Sequence, residues 1–387
     1  MKYVIIGNGV AGMTAAETIR KADSEGSITV ITEEAVPFYS RIRLIDYLAG
    51  DAGLADITIK SEDWHRDNRI ELMSGSRVVE IKKDPSQVIT EQGNVIDYDR
   101  LLIAAGGISF IPPIPGVDKK GVFALRTLQD ADAILEYAGG MDSKKIILIG
   151  GGVLGLEAGN SLRKRGYEVT VVEFFPRLLP RQMDPDGAGV LKAQMEQLGF
   201  SFYLDAKSKE ITGGEVVDGL LLEDGTLIEG GLVIVSAGVR PRAELAAAIG
   251  LTVSKGVVVN DRMETEVPEI FAAGDLIEHK ESFYGIWPAA QKQGQVAGTN
   301  MAGGDAIYEG TTMSNMLKVV GIDLAAAGDI DADSKLEAIV LRNQDSFVYR
   351  KLVLNGNTIV GCIMYGDISG YRKVLKAIEE KRDISAI

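Results

Sequence analysis

Two glycine patterns with the same spacing carry the clearest chemistry in this chain of 387 residues. The first is Gly7-x-Gly9-x-x-Gly12 and the second is Gly150-x-Gly152-x-x-Gly155, each between a Val- and Ile-rich segment and a helical stretch. In this pattern the first glycine makes a tight turn, the second lets the backbone approach a pyrophosphate, and the third lets helix and strand pack closely. Free N–H groups and the helix dipole then favour the anion. Each pattern therefore predicts a dinucleotide-binding turn.

An acidic residue after the second strand of each copy is expected to accept hydrogen bonds from a ribose. In the first copy Thr32 stands at the strand end, so Glu33 or Glu34 must do this. In the second copy Glu173 ends the strand directly, and its carboxylate would repel a 2′-phosphate, which favours NADH over NADPH. Arg177, four residues on, could soften that preference. The turn residues predicted to contact the nucleotides are Gly7, Gly9, Val10, Ala11, Gly12, Gly150, Gly152, Val153, Leu154 and Gly155.

The elements that must position these turns are alternating short strands and helices. Strand-like segments cover Tyr3–Ile6, Ser27–Thr32, Lys145–Ile149 and Glu168–Glu173. The order strand, glycine turn, helix, strand, acid occurs twice, with the first glycines 143 residues apart. This order indicates βαβ units and parallel sheets, hence an α/β fold that binds two nucleotides.

Composition excludes several other kinds of site. The chain has one cysteine, two histidines and a formal net charge of −14. A disulfide framework needs at least two cysteines. A Cys/His zinc site needs three or four such ligands, and the chain has three such residues in all, far apart in the sequence. Non-specific nucleic-acid binding depends on basic patches, which an acidic chain is poorly suited to supply.

Nothing in the sequence predicts a membrane span or a signal peptide. The longest apolar or glycine run, Ile146 to Leu156, is shorter than the ~18 residues that a span requires. The first residues, MKYVIIGNG, form a strand and a turn rather than a leader. We therefore expect a cytoplasmic protein.

Several further motifs occur in an order that resembles the FAD-dependent pyridine nucleotide-disulfide oxidoreductase family, from Met1 to about Gly304. They are Tyr98–Gly106 (with Ala105 where the family has threonine), the proline run Ile111–Gly116, the segment Val235–Pro241, and Thr265–Asp275. The resemblance implies two Rossmann-like domains, the NAD domain inserted in the FAD domain, and a small α+β C-terminal domain. The implied ranges are 1–114 and 236–308 for FAD, 115–235 for NAD(P)H, and 309–387 for the last domain.

The same resemblance implies the cofactor-binding residues outside the glycine turns. The first copy would hold FAD and the second NAD(P)H, with Asp275 accepting hydrogen bonds from the ribityl chain of FAD. The helix that begins at Trp287, with Pro288 in its first turn, would present backbone N–H groups to a flavin carbonyl. The remaining cofactor-binding residues are Val78, Ala105, Gly106 and Gly238.

The single cysteine separates this chain from the disulfide-reducing members. Where they carry a redox cysteine, this chain reads AVPFYSRIRL, without cysteine. Cys362 lies in the apolar stretch TIVGCIMYG and is expected to be a small buried hydrophobe. Thiol-disulfide and cysteine-sulfenate chemistry are therefore not expected.

The segment PFYSRIRLIDYLAG instead resembles that of NADH:rubredoxin oxidoreductases and related reductases of small redox proteins. Arg41 would lie over the FAD phosphates. Asp46 stands near the position where dioxygenase-type ferredoxin reductases often have a lysine, which weakens the likeness to that subgroup. Segment 314–321 resembles the part of rubredoxin reductases that returns to the flavin, so Lys318 could approach the ring and favour its reduced, anionic form.

Glu157 and Lys318 are the two candidate catalytic residues. Glu157 lies one turn into the second nucleotide helix, where it could point to the nicotinamide and flavin edge or stabilise the helix start as a first-turn acid. The two histidines carry weaker expectations: an ordinary surface helix residue for His65, and a polar loop role for His279. Asp329, Asp331 and Asp333 imitate a calcium loop but lack its glycine and its final glutamate, so they are read as turn acids.

The predicted function is an NADH-dependent FAD reductase that passes electrons to a small redox protein, with rubredoxin as the first choice. The alternatives are a peroxide-forming NADH oxidase, a ferredoxin reductase, and a flavin-binding regulatory protein without turnover. Because rubredoxins are generally acidic, a less acidic face of the last domain could dock one. The candidate docking residues are Arg350, Lys351, Arg372, Lys373, Lys376, Lys381 and Arg382.

Overall fold

The computed structural model describes residues 1–386, apart from the side chains of Asn315 and Ala386, and divides the chain into two compact units. Unit 1 comprises Met1–Ser40, Leu54–Ile108 and Val239–Thr311, and unit 2 comprises Arg41–Gly53, Ser109–Gly238 and the chain from Thr312 onward. The chain thus leaves unit 1, forms a continuous stretch of about 130 residues of unit 2, and returns. A short ladder of Gly107–Ser109 with Val239–Pro241 marks the two crossings.

Unit 1 is built on a five-stranded parallel sheet. The strand order is Ile270–Ala272, Arg100–Ile103, Lys2–Ile6, Ser27–Ile31 and Ile70–Met73. The central strand KYVII is buried at every residue after Lys2, as expected for a parallel strand covered on both faces. Its apolar run therefore forms the middle of the core of unit 1.

Two helices of unit 1 approach each other unusually closely. A Cβ placed on Gly294 of helix Trp287–Met301 would lie 2.3 Å from the carbonyl oxygen of Ala11, and one on Gly298 would lie 2.7 Å from that of Ala15. Ala11 and Ala15 belong to the helix that follows the first glycine turn, Val10–Ala22. Only glycine allows this backbone contact, which fixes the start of that helix.

Smaller elements complete unit 1. The helices are Leu54–Ile57, Glu62–Asp67 and Glu244–Ala248, and the paired strands are Phe38–Tyr39 with Thr58–Lys60, Val257–Val259 with Ile277–His279, and Val78–Lys83 with Ser86–Thr90 and Val95–Asp97.

Unit 2 contains a second five-stranded parallel sheet of the same design. Its strand order is Val122–Ala124, Leu232–Val235, Lys145–Ile149, Glu168–Val172 and Ser201–Tyr203. The predicted α/β class with two parallel sheets is confirmed. The other elements here are the helices Leu44–Ala49, Leu128–Gly139, Val153–Lys164 and Pro185–Gln197, the 3₁₀ turn Arg41–Arg43, and the antiparallel strands Ser208–Gly213, Val217–Leu222 and Leu227–Glu229.

The last part of unit 2 is an antiparallel sheet with one helix, as the predicted α+β domain requires. The sheet runs in the order Ser314–Val319, Ile322–Gly328, Thr358–Tyr365, Val348–Asn355 and Glu337–Asn343. Helix Tyr371–Glu379 buries Tyr371, Val374 and Ala377 against it, and a 3₁₀ turn covers Ile384–Ala386. We call this part the C-terminal module. The predicted hairpin is present, with Gly356 at positive φ in the turn between Asn355 and Thr358.

Among residues 1–386, no helix combines the length and the apolar character that crossing a bilayer requires.

Candidate functional site

The first glycine turn follows the central strand of unit 1 and has the geometry that its spacing predicts. Gly7 has φ +117°, and a Cβ there would lie 2.1 Å from the carbonyl oxygen of Ala104. A Cβ on Gly12 would lie 2.0 Å from the carbonyl oxygen of Gly7. By contrast, beyond Gly9 and its two chain neighbours, no described atom comes within 4 Å of a Cβ built on Gly9. Backbone contacts within the protein therefore require glycine at Gly7 and Gly12, whereas the Cβ position of Gly9 faces open space.

The second turn repeats this arrangement in unit 2. Gly150 has φ +113°, with its Cβ position 2.3 Å from the carbonyl oxygen of Ser236, and that of Gly155 lies 2.6 Å from the carbonyl oxygen of Gly150. The described residues again leave the Cβ position of Gly152 open. The sequence repeat is thus a geometric repeat, in which the second glycine of each turn is the one that a bound group can approach.

Parallel strands bring the remaining unit 1 motifs to the edge where Gly7 lies. The strands Lys2–Ile6, Arg100–Ile103 and Ile270–Ala272 are neighbours, so Ala104–Gly106 and Gly274–Asp275 follow at the same end of the sheet. Gly274 has φ +87°, and its N–H donates to Oε1 of Gln293 at 2.9 Å. Gln293 is almost fully buried, and sequence reasoning missed it; its signal was a polar side chain inside a run of small residues.

A dinucleotide fits this edge of unit 1. The Oδ1 atom of Asn8 is buried in the turn and has no hydrogen-bond partner among the described residues, so it needs a donor from outside the chain. The open position at Gly9 and the free N–H groups at the start of helix Val10–Ala22 supply space and donors for a pyrophosphate. Ribose hydroxyls are donors of the kind that Asn8 lacks.

The two candidate ribose acids of unit 1 differ in their partners. The carboxylate of Glu33 forms an ion pair with Arg242 and is about one-third exposed. Oε2 of Glu34 accepts a hydrogen bond from the hydroxyl of Tyr39 at 2.6 Å. Both acids therefore remain candidates for the ribose contact.

The corresponding acid of unit 2, Glu173, is held firmly at its turn. Its Oε2 accepts from the N–H of Gly151 at 2.5 Å, and its Oε1 accepts from the N–H of Phe175 at 2.8 Å. Each oxygen keeps further lone-pair capacity for a ribose hydroxyl. The guanidinium of Arg177 donates to the carbonyl oxygens of Met183 and Pro180.

Two exposed phenylalanines stand directly after Glu173. Phe174 is 59% exposed and Phe175 is 49% exposed, and their rings meet edge to face with centroids 5.4 Å apart. Adjacent exposed aromatic rings beside a ribose acid offer a stacking surface for a purine base. Sequence reasoning missed this pair, although the letters EFFP after a strand were the signal.

The structure joins Glu157 to the segment that carries Lys318. Glu157 lies in helix Val153–Lys164, is 7% exposed, and accepts a hydrogen bond at Oε1 from the N–H of Val320. Burial raises the pKa of this carboxyl, and the Val320 N–H offsets part of the rise. Lys318 is exposed at the end of strand Ser314–Val319, two residues before Val320.

The other predicted contact residues fall in both units. In unit 1, Val78 is buried at the start of its strand, and Trp287 opens its helix with Pro288 in the first turn, as expected. In unit 2, Arg41 donates from Nη1 to the carbonyl oxygen of Arg126 at 2.8 Å, and Gly238 has φ +108°. The assignment of these residues to a cofactor stays a prediction.

Two histidine expectations are wrong. His65 is 2% exposed rather than on the surface, its Nδ1 lies 2.7 Å from the carbonyl oxygen of Ser61, and burial lowers its pKa. His279 is 1% exposed, ends a strand rather than lying in a loop, and places Nε2 2.7 Å from Oδ1 of Asp261. In both cases the tertiary packing buries a polar residue whose local sequence looks exposed.

The proposed docking face also needs a correction, because Lys351 is buried and paired with Asp184. Cys362 is a buried hydrophobe, as predicted, and burial raises the pKa of its thiol to about 12. The carboxylate of Asp331 accepts the N–H groups of Lys335 and Leu336, which confirms its reading as a turn acid.

Two protein-family models match this chain. Residues 1–294 match the family described as pyridine nucleotide-disulphide oxidoreductase. Residues 314–382 match the rubredoxin NAD⁺ reductase C-terminal domain, which corresponds to the C-terminal module.

Similar proteins align with nearly the whole chain. The chain is 39% identical to nitrite reductase (NAD(P)H) of Bacillus subtilis strain 168 over 99% of its own length and 48% of that protein's. It therefore spans about half the length of the first curated relatives it matches. It is 31% identical to the NADH-rubredoxin oxidoreductase of Clostridium acetobutylicum over its whole length and 96% of that enzyme.

Solved structures agree with these matches. The crystal structure of the Clostridium acetobutylicum NADH:rubredoxin oxidoreductase aligns with a TM-score of 0.84, covering all of this chain and 98% of that one. The reductase in a covalent putidaredoxin reductase–putidaredoxin complex aligns with a TM-score of 0.88 at 26% identity, covering 98% and 93%.

Proposed function

This chain belongs to the pyridine nucleotide-disulphide oxidoreductase family, and we propose that it oxidises NADH through FAD and reduces a small redox protein, with rubredoxin as the first candidate. FAD and NADH are the cofactors of this family and of the NADH-rubredoxin oxidoreductases to which the chain is similar. The observation that carries the proposal is the geometric repeat of the two turns, each open at its second glycine, Gly9 and Gly152.

We assign FAD to unit 1. The residues proposed to hold it are the first turn, Asn8, Glu33 or Glu34, and the Gly274–Asp275 loop that Gln293 fixes. FAD, when bound, accepts a hydride and releases electrons one at a time. The protein itself is proposed to orient the two dinucleotides and to set the charge around the flavin ring.

We assign NADH to unit 2. Glu173 supports NADH over NADPH because a fixed carboxylate repels a 2′-phosphate. The exposed rings of Phe174 and Phe175 are proposed to bind the adenine.

Electrons are proposed to leave from the flavin and not through a protein thiol. Cys362 is the one cysteine of the chain, and it is fully buried in the sheet of the C-terminal module. A thiol with a pKa of about 12 supplies almost no thiolate at neutral pH, and the thiolate is the reactive form.

The acceptor is proposed to dock at the C-terminal module, whose match to the rubredoxin NAD⁺ reductase domain supports this choice. Arg372 and Lys373 are exposed near the start of helix Tyr371–Glu379, where they would attract an acidic partner. Electrostatic steering of that kind weakens as ionic strength rises.

A second candidate function is the electron-input part of a nitrite reductase. The 39% identity to the Bacillus subtilis nitrite reductase, across nearly all of this chain, favours it. The donor half of the reaction would be unchanged, and only the acceptor would differ.

Anaerobic mixing with NADH, followed by separate additions of rubredoxin, a [2Fe–2S] ferredoxin, CoA-disulfide and O₂, tests the reductase function and the choice of acceptor. We expect NADH to bleach the flavin spectrum, and rubredoxin to restore it fastest, more slowly at high salt. A flavin that NADH does not bleach would overturn the reductase function. Fast reoxidation by CoA-disulfide would overturn the assignment of electron exit to the flavin, and slow reoxidation by rubredoxin would overturn that choice of partner.

A further inference from the structure

The loop between strand Glu168–Val172 and helix Pro185–Gln197 of unit 2 contains a leucine in an unfavourable backbone conformation. In this loop, residues 174–183, Leu179 has φ +49°, and both Leu178 and Leu179 are fully buried. A non-glycine residue at positive φ is uncommon, and it persists only where its surroundings hold it. The contacts of Leu179 therefore identify what fixes the loop.

Leu178 and Leu179 both contact the second glycine turn. The N–H of Leu179 donates to the carbonyl oxygen of Gly151 at 3.0 Å. A Cβ built on Gly151 would lie 2.7 Å from Cδ2 of Leu178 and 3.1 Å from Oε2 of Glu173, the oxygen that accepts the Gly151 N–H. The first turn has Asn8 at the equivalent position, so this crowding distinguishes the second turn. The loop and the candidate ribose acid thus contact the same turn residue.

Arg177 closes the loop on itself. Its Nε donates to the carbonyl oxygen of Met183 at 3.1 Å, and its Nη2 donates to that of Pro180 at 3.2 Å. A planar guanidinium holds two acceptors at once in a fixed geometry, which a lysine ammonium does not. Pro180 directly follows Leu179, and the N–H of Met183 donates to the carbonyl oxygen of Leu179 at 2.9 Å. Both residues that Arg177 holds are therefore bonded to Leu179, one covalently and one by a hydrogen bond.

Other contacts fix the two ends of the loop. Asp184, the residue after it, caps helix Pro185–Gln197 and pairs with the buried Lys351. Glu173, the residue before it, accepts the N–H of Gly151. We therefore expect a change at Arg177 to alter the middle of the loop and to leave its ends in place.

We propose that Arg177 is a positioning residue of the NADH site. By closing the loop it keeps Leu178 and Leu179 against Gly151, and this contact fixes the turn for the nucleotide. The inference rests on the proposed function, in which NADH binds at the second turn. It differs from a role of Arg177 as a cation that attracts a 2′-phosphate, because positioning affects NADH and NADPH alike, whereas the charge would affect NADPH more.

Three variants separate the geometry of Arg177 from its charge. R177M removes both, whereas R177K keeps the charge and loses the fork of donors. R181M is the matched control, because it removes the charge of an exposed arginine from the same loop. Stopped-flow mixing of each FAD-loaded variant with NADH or NADPH under anaerobic conditions gives the apparent Kd and the limiting rate of flavin reduction.

R177M and R177K are both expected to weaken the binding of NADH and of NADPH by the same factor, roughly tenfold, with little change in the limiting rate. R181M is expected to bind NADH as tightly as the parent protein does. Parental affinity in R177K overturns the proposal, because the charge then suffices. A loss confined to NADPH in R177M also overturns it, because Arg177 then acts as a cation towards the 2′-phosphate. Circular dichroism checks the folding of each variant, and R177K alone supplies the comparison if R177M does not fold.

Amide hydrogen exchange of Leu179 in the absence of nucleotide supplies a readout of the loop itself. Exchange is expected to be faster in R177M and R177K than in R181M and in the parent protein. Equal exchange in all four proteins overturns the proposal, because the loop then keeps its contact with Gly151 without Arg177.

The inference and the proposed function fail in different ways. A parent protein whose flavin is not bleached by NADH overturns the proposed function, and the inference with it. A parent protein that NADH bleaches, together with Arg177 variants that bind NADH equally well, overturns the inference alone.

Discussion

Nζ of Lys351 lies 3.0 Å from Oδ2 of Asp184, and the two side chains are only 3% and 5% exposed. The hydroxyl of Tyr349 donates to the same carboxylate oxygen at 2.6 Å, and Oδ1 of Asp184 caps helix Pro185–Gln197 through the N–H of Gly187. Nζ of Lys351 also donates to the carbonyl oxygen of Asp331. This buried cluster ties the sheet of the C-terminal module to a helix of the nucleotide-binding part of unit 2.

Lys351→Met should lower the free energy of unfolding by about 3–5 kcal/mol, because it leaves the buried Asp184 carboxylate without its cation. Urea denaturation measures the change. Arg350→Met is the matched control: Arg350 is on the same strand, and its ion pair with Asp367 is partly exposed, so the loss should stay below ~1 kcal/mol. Equal losses in the two variants would contradict the difference in burial.

Gly9→Val should yield a folded protein that does not hold FAD. The backbone at Gly9 is extended and its Cβ position is open, so the chain tolerates the side chain, whereas a pyrophosphate at that position does not. The absorbance of the purified protein and its circular dichroism measure the two effects. Gly152→Val, at the equivalent position of the second turn, should keep FAD and lose bleaching by NADH. A yellow, FAD-loaded Gly9→Val protein would refute the assignment of the first turn.

Glu173→Gln should raise the use of NADPH relative to NADH by roughly tenfold, equivalent to about 1.4 kcal/mol, because it removes the charge that repels a 2′-phosphate. Steady-state kcat/KM for the two nucleotides measures the ratio. Glu168→Gln, an exposed acid at the start of the same strand, should leave the ratio unchanged. The assignment of Glu173 fails if both variants behave alike.

The stability of the protein should depend on the ionisation of Glu157. Burial raises the pKa of its carboxyl and Asp46 adds to the rise, while the Val320 N–H and Lys164 oppose it. A raised folded-state pKa means that the folded protein favours the protonated form of Glu157. The resulting contribution to stability is complete below the unfolded-state pKa of about 4.3, and it is lost as the pH rises through the folded-state pKa. The Tm of Glu157→Gln minus that of the parent protein should therefore increase from pH 4 to pH 8. A constant difference would contradict the burial effect.

Cys362→Ala should leave the rate of flavin reduction by NADH unchanged and lower the free energy of unfolding by about 1 kcal/mol, because a small buried group is lost. Stopped-flow absorbance and urea denaturation measure the two quantities. In the parent protein at pH 8, a thiol reagent should react with Cys362 only after unfolding. Rapid labelling of the folded protein, or a slower flavin reduction in the variant, would show that the thiol takes part.

The spacing of the glycines was enough to predict both turns. Gly7 and Gly150 need positive φ, and Gly12 and Gly155 need a backbone contact within their own βαβ unit, so these demands are local. The Val- and Ile-rich strands and the acid Glu173 follow the same local logic. The fold class could be predicted for that reason, and the single cysteine is a matter of composition.

Contacts between distant segments depended on the tertiary structure. Glu157 meets Val320 across 163 positions, and Lys351 meets Asp184 because a sheet strand packs on a helix. The burial of His65 and His279 came from the same source. A local sequence pattern indicates which residues can form a turn, which can form a strand, and which side chains can be buried, because backbone geometry is set over a few residues. Which buried charge meets which donor is decided only when separate surfaces pack together, since burial and partner are properties of the assembled core.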